Sequence, residues 1–259
     1  MTVRVEVVIQ PLVLRLSLHE GVPLYHVAAD PWMQLDGAEE ALGRSPQAGA
    51  AFGELAFIPI CTTTLIRGSR TILVDPGNLH LGLSGILRAR LRALGIEPAD
   101  VDLVVATHAH HDHLSAVSAF RGRPLVIGAA DLAYLAETNW PAYAQAFTSG
   151  VASEVHEVDD EQVLDEGVTV TPTPGHTPGS VSVLVETPDE RVAIVGDCAM
   201  TQDEYETRRL SHWYSAEQVA ALNASLDRIA AWGPTVVVPG HDRAFRPGGS
   251  AFDARASRW

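Results

Sequence analysis

The sequence predicts a layered α/β domain, and two observations carry that expectation. Short runs rich in β-branched residues recur in both halves of the chain and end at Gly, Pro or Asp. Segments with helical spacing of apolar residues lie between these runs, which favours helices layered on sheet over an all-α or all-β chain. With 259 residues, 46% hydrophobic and 19% charged, the chain can bury a substantial core and is far from a disordered composition. A single domain over residues 1–259 is expected.

The first strand is expected at Val3–Ile9, where Val and Ile alternate with Arg4 and Glu6, a pattern unlike the continuous apolar run of a signal peptide. Asp36–Gly53, rich in Ala and Gly, reads as a surface loop. Strands follow at Ile58–Ile66 and Thr71–Val74, a helix at Ser84–Leu94, a strand at Asp102–Ala106 and a helix at Leu114–Phe120. Next come a strand at Leu125–Ile127 and a helix at Ala129–Glu137, after which Trp140, Pro141, Tyr143 and Phe147 interrupt the helical pattern over Asn139–Gly150. Strands at Val168–Thr171, Val181–Val185 and Val192–Val195 lead to the clearest helix, Ser215–Ala231. There Val219, Leu222, Leu226 and Ile229 share one face, and Ser215 with Gln218 forms a capping-box pattern. Thr235–Val238 is the last strand.

Charge narrows the partners. The formal net charge is −14, so a polyphosphate would be repelled at long range, and Arg88, Arg90 and Arg92 are spaced around a helix as a solvated face would be. No nucleic acid partner is expected. No stretch approaches the ~20 apolar residues of a membrane span, and two cysteines, Cys61 and Cys198, make no disulfide framework. A cytoplasmic protein acting on a small molecule, with no membrane contact, is the expectation.

The strongest chemical signal is His108-Ala109-His110-His111-Asp112-His113, directly after an apolar strand: four histidines and an aspartate in six positions. Imidazole with carboxylate suits zinc, iron or manganese, and a loop at a strand end can aim several such groups inward. Three more isolated donors stand in similar contexts. His176 lies between Pro174-Gly175 and Pro178-Gly179, Asp197 follows a strand through Gly196, and His241 follows Val238-Pro239-Gly240. Taken singly, each is an ordinary turn residue; together they make seven donors on four strand ends.

This pattern resembles the HxHxDH motif of the metallo-β-lactamase superfamily, with His176, Asp197 and His241 matching its later motifs in order, over about Ile58 to Arg246. The resemblance implies an αββα four-layer sandwich with the site at one edge between two sheets. It implies that His108, His110 and His176 hold one metal, that Asp112, His113 and His241 hold the other, and that Asp197 bridges them. His111 stands at the variable position and is left out. The di-iron branch of the superfamily usually has Glu where His110 stands, so two zinc ions are expected, with iron or manganese as alternatives.

The implied activity is hydrolysis of an ester, lactone or thioester carbonyl by a metal-bound hydroxide, two cations ~3.5–4 Å apart lowering the pKa of a shared water to roughly 7. Asp112 and Asp197 are the implied catalytic carboxylates, Asp112 also orienting the hydroxide or taking its proton. The same shell serves phosphodiesterases and nucleases, and a subset of it serves mononuclear iron persulfide oxygenases. The first usually add a large extra domain, for which 259 residues leave no room, and the second needs no complete set of seven. Cys198 is expected to pack beside Asp197, and Cys61 to be core. Tyr205, His212 and Trp140, aromatic groups on irregular segments, are the candidate substrate contacts.

Overall fold

The computed structural model describes residues 2–10, 12–19, 22–28, 61–77, 83–137, 151–211, 214–252, 254 and 259. Two sheets dominate. The first runs in the order β1 (Arg4–Ile9), β4 (Thr63–Arg67), β5 (Thr71–Val74), β6 (Leu103–Val105), β7 (Leu125–Gly128), β8 (Val155–Val158). Its β1–β4–β5 portion is antiparallel, while β5, β6, β7 and β8 pair in parallel. The second runs β13 (Val236–Pro239), β12 (Arg191–Gly196), β11 (Val181–Glu186), β10 (Val168–Pro172), β9 (Gln162–Asp165); it is antiparallel except for the β12–β13 pair. A separate hairpin joins β2 (Leu12–His19) to β3 (Val22–Ala28).

The two-residue period of the strands sorts their side chains into three apolar layers. Val5, Val7, Ile66, Ile72, Val74 and Val105 of the first sheet meet Val168, Val170, Val183, Ile194 and Val238 of the second, forming the core between the sheets. Alternate residues of the first sheet, Leu65, Leu73, Val104 and Ile127, face α1 (Leu83–Ala93) through Leu87 and Leu91, and α3 (Ala129–Glu137) through Leu135. Alternate residues of the second, Leu184, Ala193, Val195 and Val237, face α5 (Ala216–Trp232) through Leu222, Leu226 and Ile229. The layer order is α, β, β, α, as expected. Parallel pairing in the first sheet fits its cover on both faces.

Element boundaries follow local chemistry. The α5 helix starts where expected, because the Ser215 hydroxyl accepts from Gln218 N while the Gln218 side chain accepts from Ser215 N. The helix expected at Leu114–Phe120 divides into α2 (His111–Leu114) and a 3-10 turn at Val117–Phe120, so three residues of the histidine-rich motif sit in α2 itself. The strand expected from Ile58 begins at Thr63 among the described residues. Three features were not expected: the β2–β3 hairpin, the β8 and β9 strands, and α4 (Gln202–Thr207), capped by Thr201 accepting from Glu204 N. The loops expected at Asp36–Gly53 and Asn139–Gly150 lie outside the described residues. No described helix is long and apolar enough to cross a membrane.

Candidate metal centre

Strand direction brings the donors to one edge. β5 and β6 are parallel, β10 and β12 run the same way on either side of β11, and β13 is parallel to β12. Their C-terminal ends carry Asp75, the His108–His113 segment, the His176 loop, Asp197 and His241. Backbone bonds stitch these ends together: Val181 N donates to Thr107 O at 2.7 Å, Gly240 N to Gly196 O at 2.9 Å and His241 N to Met200 O at 2.9 Å. Gly196 has φ +50, and a Cβ there would stand 2.3 Å from Thr107 Oγ1. Only glycine lets β12 end so tightly against the motif loop and turn Asp197 into the site.

Two groups of donor atoms result, each within 4.8 Å of one another: His108, His110, His176 and Asp197 in one, Asp112, His113 and His241 in the other. Asp197 faces both. Its Oδ2 is 3.2 Å from His176 Nε2 and 3.2 Å from His241 Nε2, and its Oδ1 is 3.3 Å from His113 Nε2. Asp112 Oδ2 lies 3.4 Å from His241 Nε2 and 3.7 Å from His113 Nε2. Nitrogens face nitrogens, His176 Nε2 at 2.9 Å from His110 Nδ1 and His113 Nε2 at 3.4 Å from His241 Nε2. His108 Nε2 is buried without a hydrogen-bond partner among the described residues. Buried polar atoms are rarely left so, and facing imidazole nitrogens with carboxylates between them fit cations in the gap.

The outer nitrogens of His108, His110, His113 and His176 are occupied, which fixes these rings. His113 Nδ1 lies 2.9 Å from Asp75 Oδ2, and Asp75 also accepts from Thr107 N at 2.7 Å and Thr107 Oγ1 at 2.8 Å. His110 Nε2 lies 3.4 Å from the Tyr134 hydroxyl, His176 Nδ1 2.6 Å from the Tyr214 hydroxyl and His108 Nδ1 3.2 Å from Thr107 Oγ1. With the outer nitrogen bonded, the inner one presents its lone pair to the site.

Electrostatics tell the same story. Burial pushes His108 well below the usual imidazole range, lowers His110, and brings His176 down to about 4, so these three are neutral donors. Burial opposes charge on both carboxylates, yet His241, His113 and His176 hold the Asp197 carboxyl well below the usual carboxylate range, and His113 with His241 lowers that of Asp112. His113 and His241 move up despite burial, Asp197 being the main cause for both. The upward shift of these two rings reflects the negative charge of the buried carboxylates, which a pair of cations would balance.

All seven expected donors therefore come together. His111 points elsewhere, its side chain 36% exposed and 3.9 Å from Asp112 Oδ1. Tyr205 requires a correction: it is 6% exposed, its ring packs on Phe245 at 5.4 Å between centroids, and the Arg208 guanidinium lies 5.7 Å from it. The α4 helix turns this residue into the layer between the second sheet and α5, where it is a core residue among the described residues. His212 and Trp140 lie outside the described residues. Cys61 and Cys198 are both buried, and burial raises each thiol to about 12, which suits packing. Sequence reasoning passed over Asp75, Asp131, Tyr134 and Glu204. Glu204 is buried, accepts from Met200 N and the Ser211 hydroxyl, and burial pushes its carboxyl up to about 7.

Known proteins resemble this chain in sequence and fold. A metallo-β-lactamase domain-containing protein from Xenopus laevis is 30% identical over 189 residues, which is 71% of this chain and 72% of that protein. An N-acyl homoserine lactonase from Rhizobium radiobacter is 27% identical over 168 residues, 59% of this chain; the match spans 62% of the lactonase's length. Among solved structures, a putative metallo-β-lactamase from Thermotoga maritima superposes with a TM-score of 0.64 at 22% identity, covering 95% of this chain and 100% of that one. An N-acyl homoserine lactone hydrolase with the product N-hexanoyl-L-homoserine bound at its catalytic metal centre gives 0.63 at 16% identity, covering 93% of each chain. These likenesses support the fold. The sequence model of the metallo-β-lactamase superfamily matches residues 58–241, most of the chain and every one of the seven donors, and the chain belongs to that superfamily.

Proposed function

We propose that this chain is a dinuclear metal-dependent hydrolase that opens a carboxylic ester, with a lactone as the substrate class best supported. One observation carries the reading: seven donor side chains from four strand ends converge with their inner nitrogens and carboxylate oxygens facing one another. The relatives named as N-acyl homoserine lactonases, and the similar fold holding N-hexanoyl-L-homoserine at its catalytic metal centre, support a lactone over other esters.

His108, His110 and His176 would hold one cation, Asp112, His113 and His241 the other, with Asp197 between them. Five imidazoles and two carboxylates form a nitrogen-rich set that suits zinc. Cations held there would supply a water of pKa roughly 7 and Lewis-acid polarisation of a carbonyl oxygen. The chain's residues do the rest. Asp112 and Asp197 place carboxylate oxygens at the centre of the site, and Asp112, oriented by His113 and His241, is the group positioned to take a proton from the attacking water. Asp75, Tyr134 and Tyr214 keep His113, His110 and His176 from rotating. Water adds across the ester C–O bond, and a ring ester leaves as a single hydroxy acid.

The direct assay is proton release from N-acyl homoserine lactones and simple lactones, with thioesters in parallel. Lactone turnover that disappears on chelation and returns with zinc is expected. Absence of turnover on lactones and thioesters by fully metal-loaded protein would contradict the reading.

A further inference from the structure

Asp131 lies in the first turn of α3 with no exposed surface, outside every donor group described above. Its carboxylate reaches two loops at once. Oδ2 accepts from Ala109 N at 2.7 Å and from the Thr177 hydroxyl at 2.9 Å, and Oδ1 accepts from Gly179 N at 2.7 Å. Ala109 stands between His108 and His110, and Thr177 follows His176. One buried carboxylate thus ties together the two loops that carry all three imidazoles of the first donor group.

The packing around it is close enough to transmit position. A Cβ on Gly179 would lie 2.3 Å from Asp131 N, and one on Gly128 would lie 1.7 Å from Gly179 O. The start of α3 and the His176 loop therefore meet main chain to main chain, and neither can shift without the other. The second donor group is anchored differently: His113 by Asp75 and His241 by Met200 O. Asp131 touches only the loops of the first group, whereas Asp75 holds His113 directly and Thr107 beside His108.

We infer that Asp131 is a positioning residue that sets the geometry, and so the affinity, of the cation position formed by His108, His110 and His176, while leaving the Asp112–His113–His241 position to its own anchors. This inference rests on the dinuclear reading above. Groups that orient metal ligands typically change affinity by about 10–100-fold when removed. Asp131→Asn replaces one acceptor oxygen with a donor that faces donors, so at least one of the three bonds is lost.

The test is calorimetric titration of chelator-stripped protein with zinc, followed by the absorption spectrum of the cobalt-loaded form. The parent chain is expected to show two binding events. In Asp131→Asn one event weakens about 10–100-fold, the other stays within about twofold, and the cobalt bands of one position change. Thr177→Val, which removes the hydroxyl bonded to Asp131 and Ser180 and leaves the other two bonds to Asp131 in place, gives a smaller shift in the same event and carries the test if the first variant does not fold. Asp102→Asn, which removes a carboxylate bonded to Thr71 N at the opposite end of the strands, leaves both events unchanged. Both events unchanged in a folded Asp131→Asn, both weakened equally, or no shift in Thr177→Val would overturn the inference. Absence of zinc binding by the parent chain would instead overturn the metal-centre reading, and this inference with it.

Discussion

Asp75 shows how much of the centre depends on a residue that belongs to neither donor group. It follows β5 with φ +51, unusual for a residue other than glycine, and uses both carboxylate oxygens to hold His113 and Thr107. Asp75→Asn keeps the shape but weakens the hold on the His113 ring, so metal affinity and lactone turnover should both fall by about 10–100-fold. A titration alongside initial rates checks this. His110→Ala and Asp197→Ala remove donors outright; each should lose turnover by three orders of magnitude or more, on the order of what loss of an activated water implies, while circular dichroism shows the fold retained. Glu204 offers a test by pH. Its folded value of about 7 stands above the ordinary 4.5, so its contribution to stability is complete below 4.5 and is lost as pH rises through 7. Glu204→Gln carries no charge at any pH, so the variant should gain stability relative to the parent chain between pH 5 and pH 8, by up to about 3 kcal/mol; denaturant unfolding at the two pH values measures it. At this scale the seven donors were legible in the sequence because four histidines in six positions have no packing rationale. Asp75 and Asp131 were not, since a lone Asp after a strand or in a first helical turn has an ordinary explanation in turns and helix ends.

Elements follow their patterns where burial is one-sided or complete. The α5 helix was legible from the spacing of Leu222, Leu226 and Ile229, all fully buried against the second sheet. Leu226→Ala should therefore cost about 2–5 kcal/mol through lost contact and an unfilled cavity, and Ser215→Ala about 1 kcal/mol through the lost cap. Urea unfolding of the two variants would rank them in that order. The β8 and β9 strands escaped notice because each pairs on one side only and carries as many polar as apolar residues; Val163 in β9 is 76% exposed. The β2–β3 hairpin had a readable signal that went unused, Leu12, Leu14, Leu16 and Leu18 alternating with other residues just before Glu20-Gly21. Tyr205 was misplaced because its position after Asp197 suggested a loop, whereas Thr201 caps a short helix there and turns the ring inward.

At the scale of the whole molecule, the sandwich serves to bring five strand ends from two sheets to one edge, so residues as distant in sequence as Asp75 and His241 meet at one cluster of side chains. The layer order was legible only through the resemblance carried by the histidine motif, because interleaved strands and helices alone fit several α/β architectures. Cations that bind this edge join loops from both sheets and should raise the unfolding temperature by mass action, an effect that chelation reverses. The most direct test of the central claim is metal content per chain, measured by an elemental method reporting zinc, iron and manganese together on protein purified without added metal or chelator. The account predicts close to two ions per chain, mostly zinc. One iron per chain, with the second position unfilled even after zinc is supplied, would contradict it.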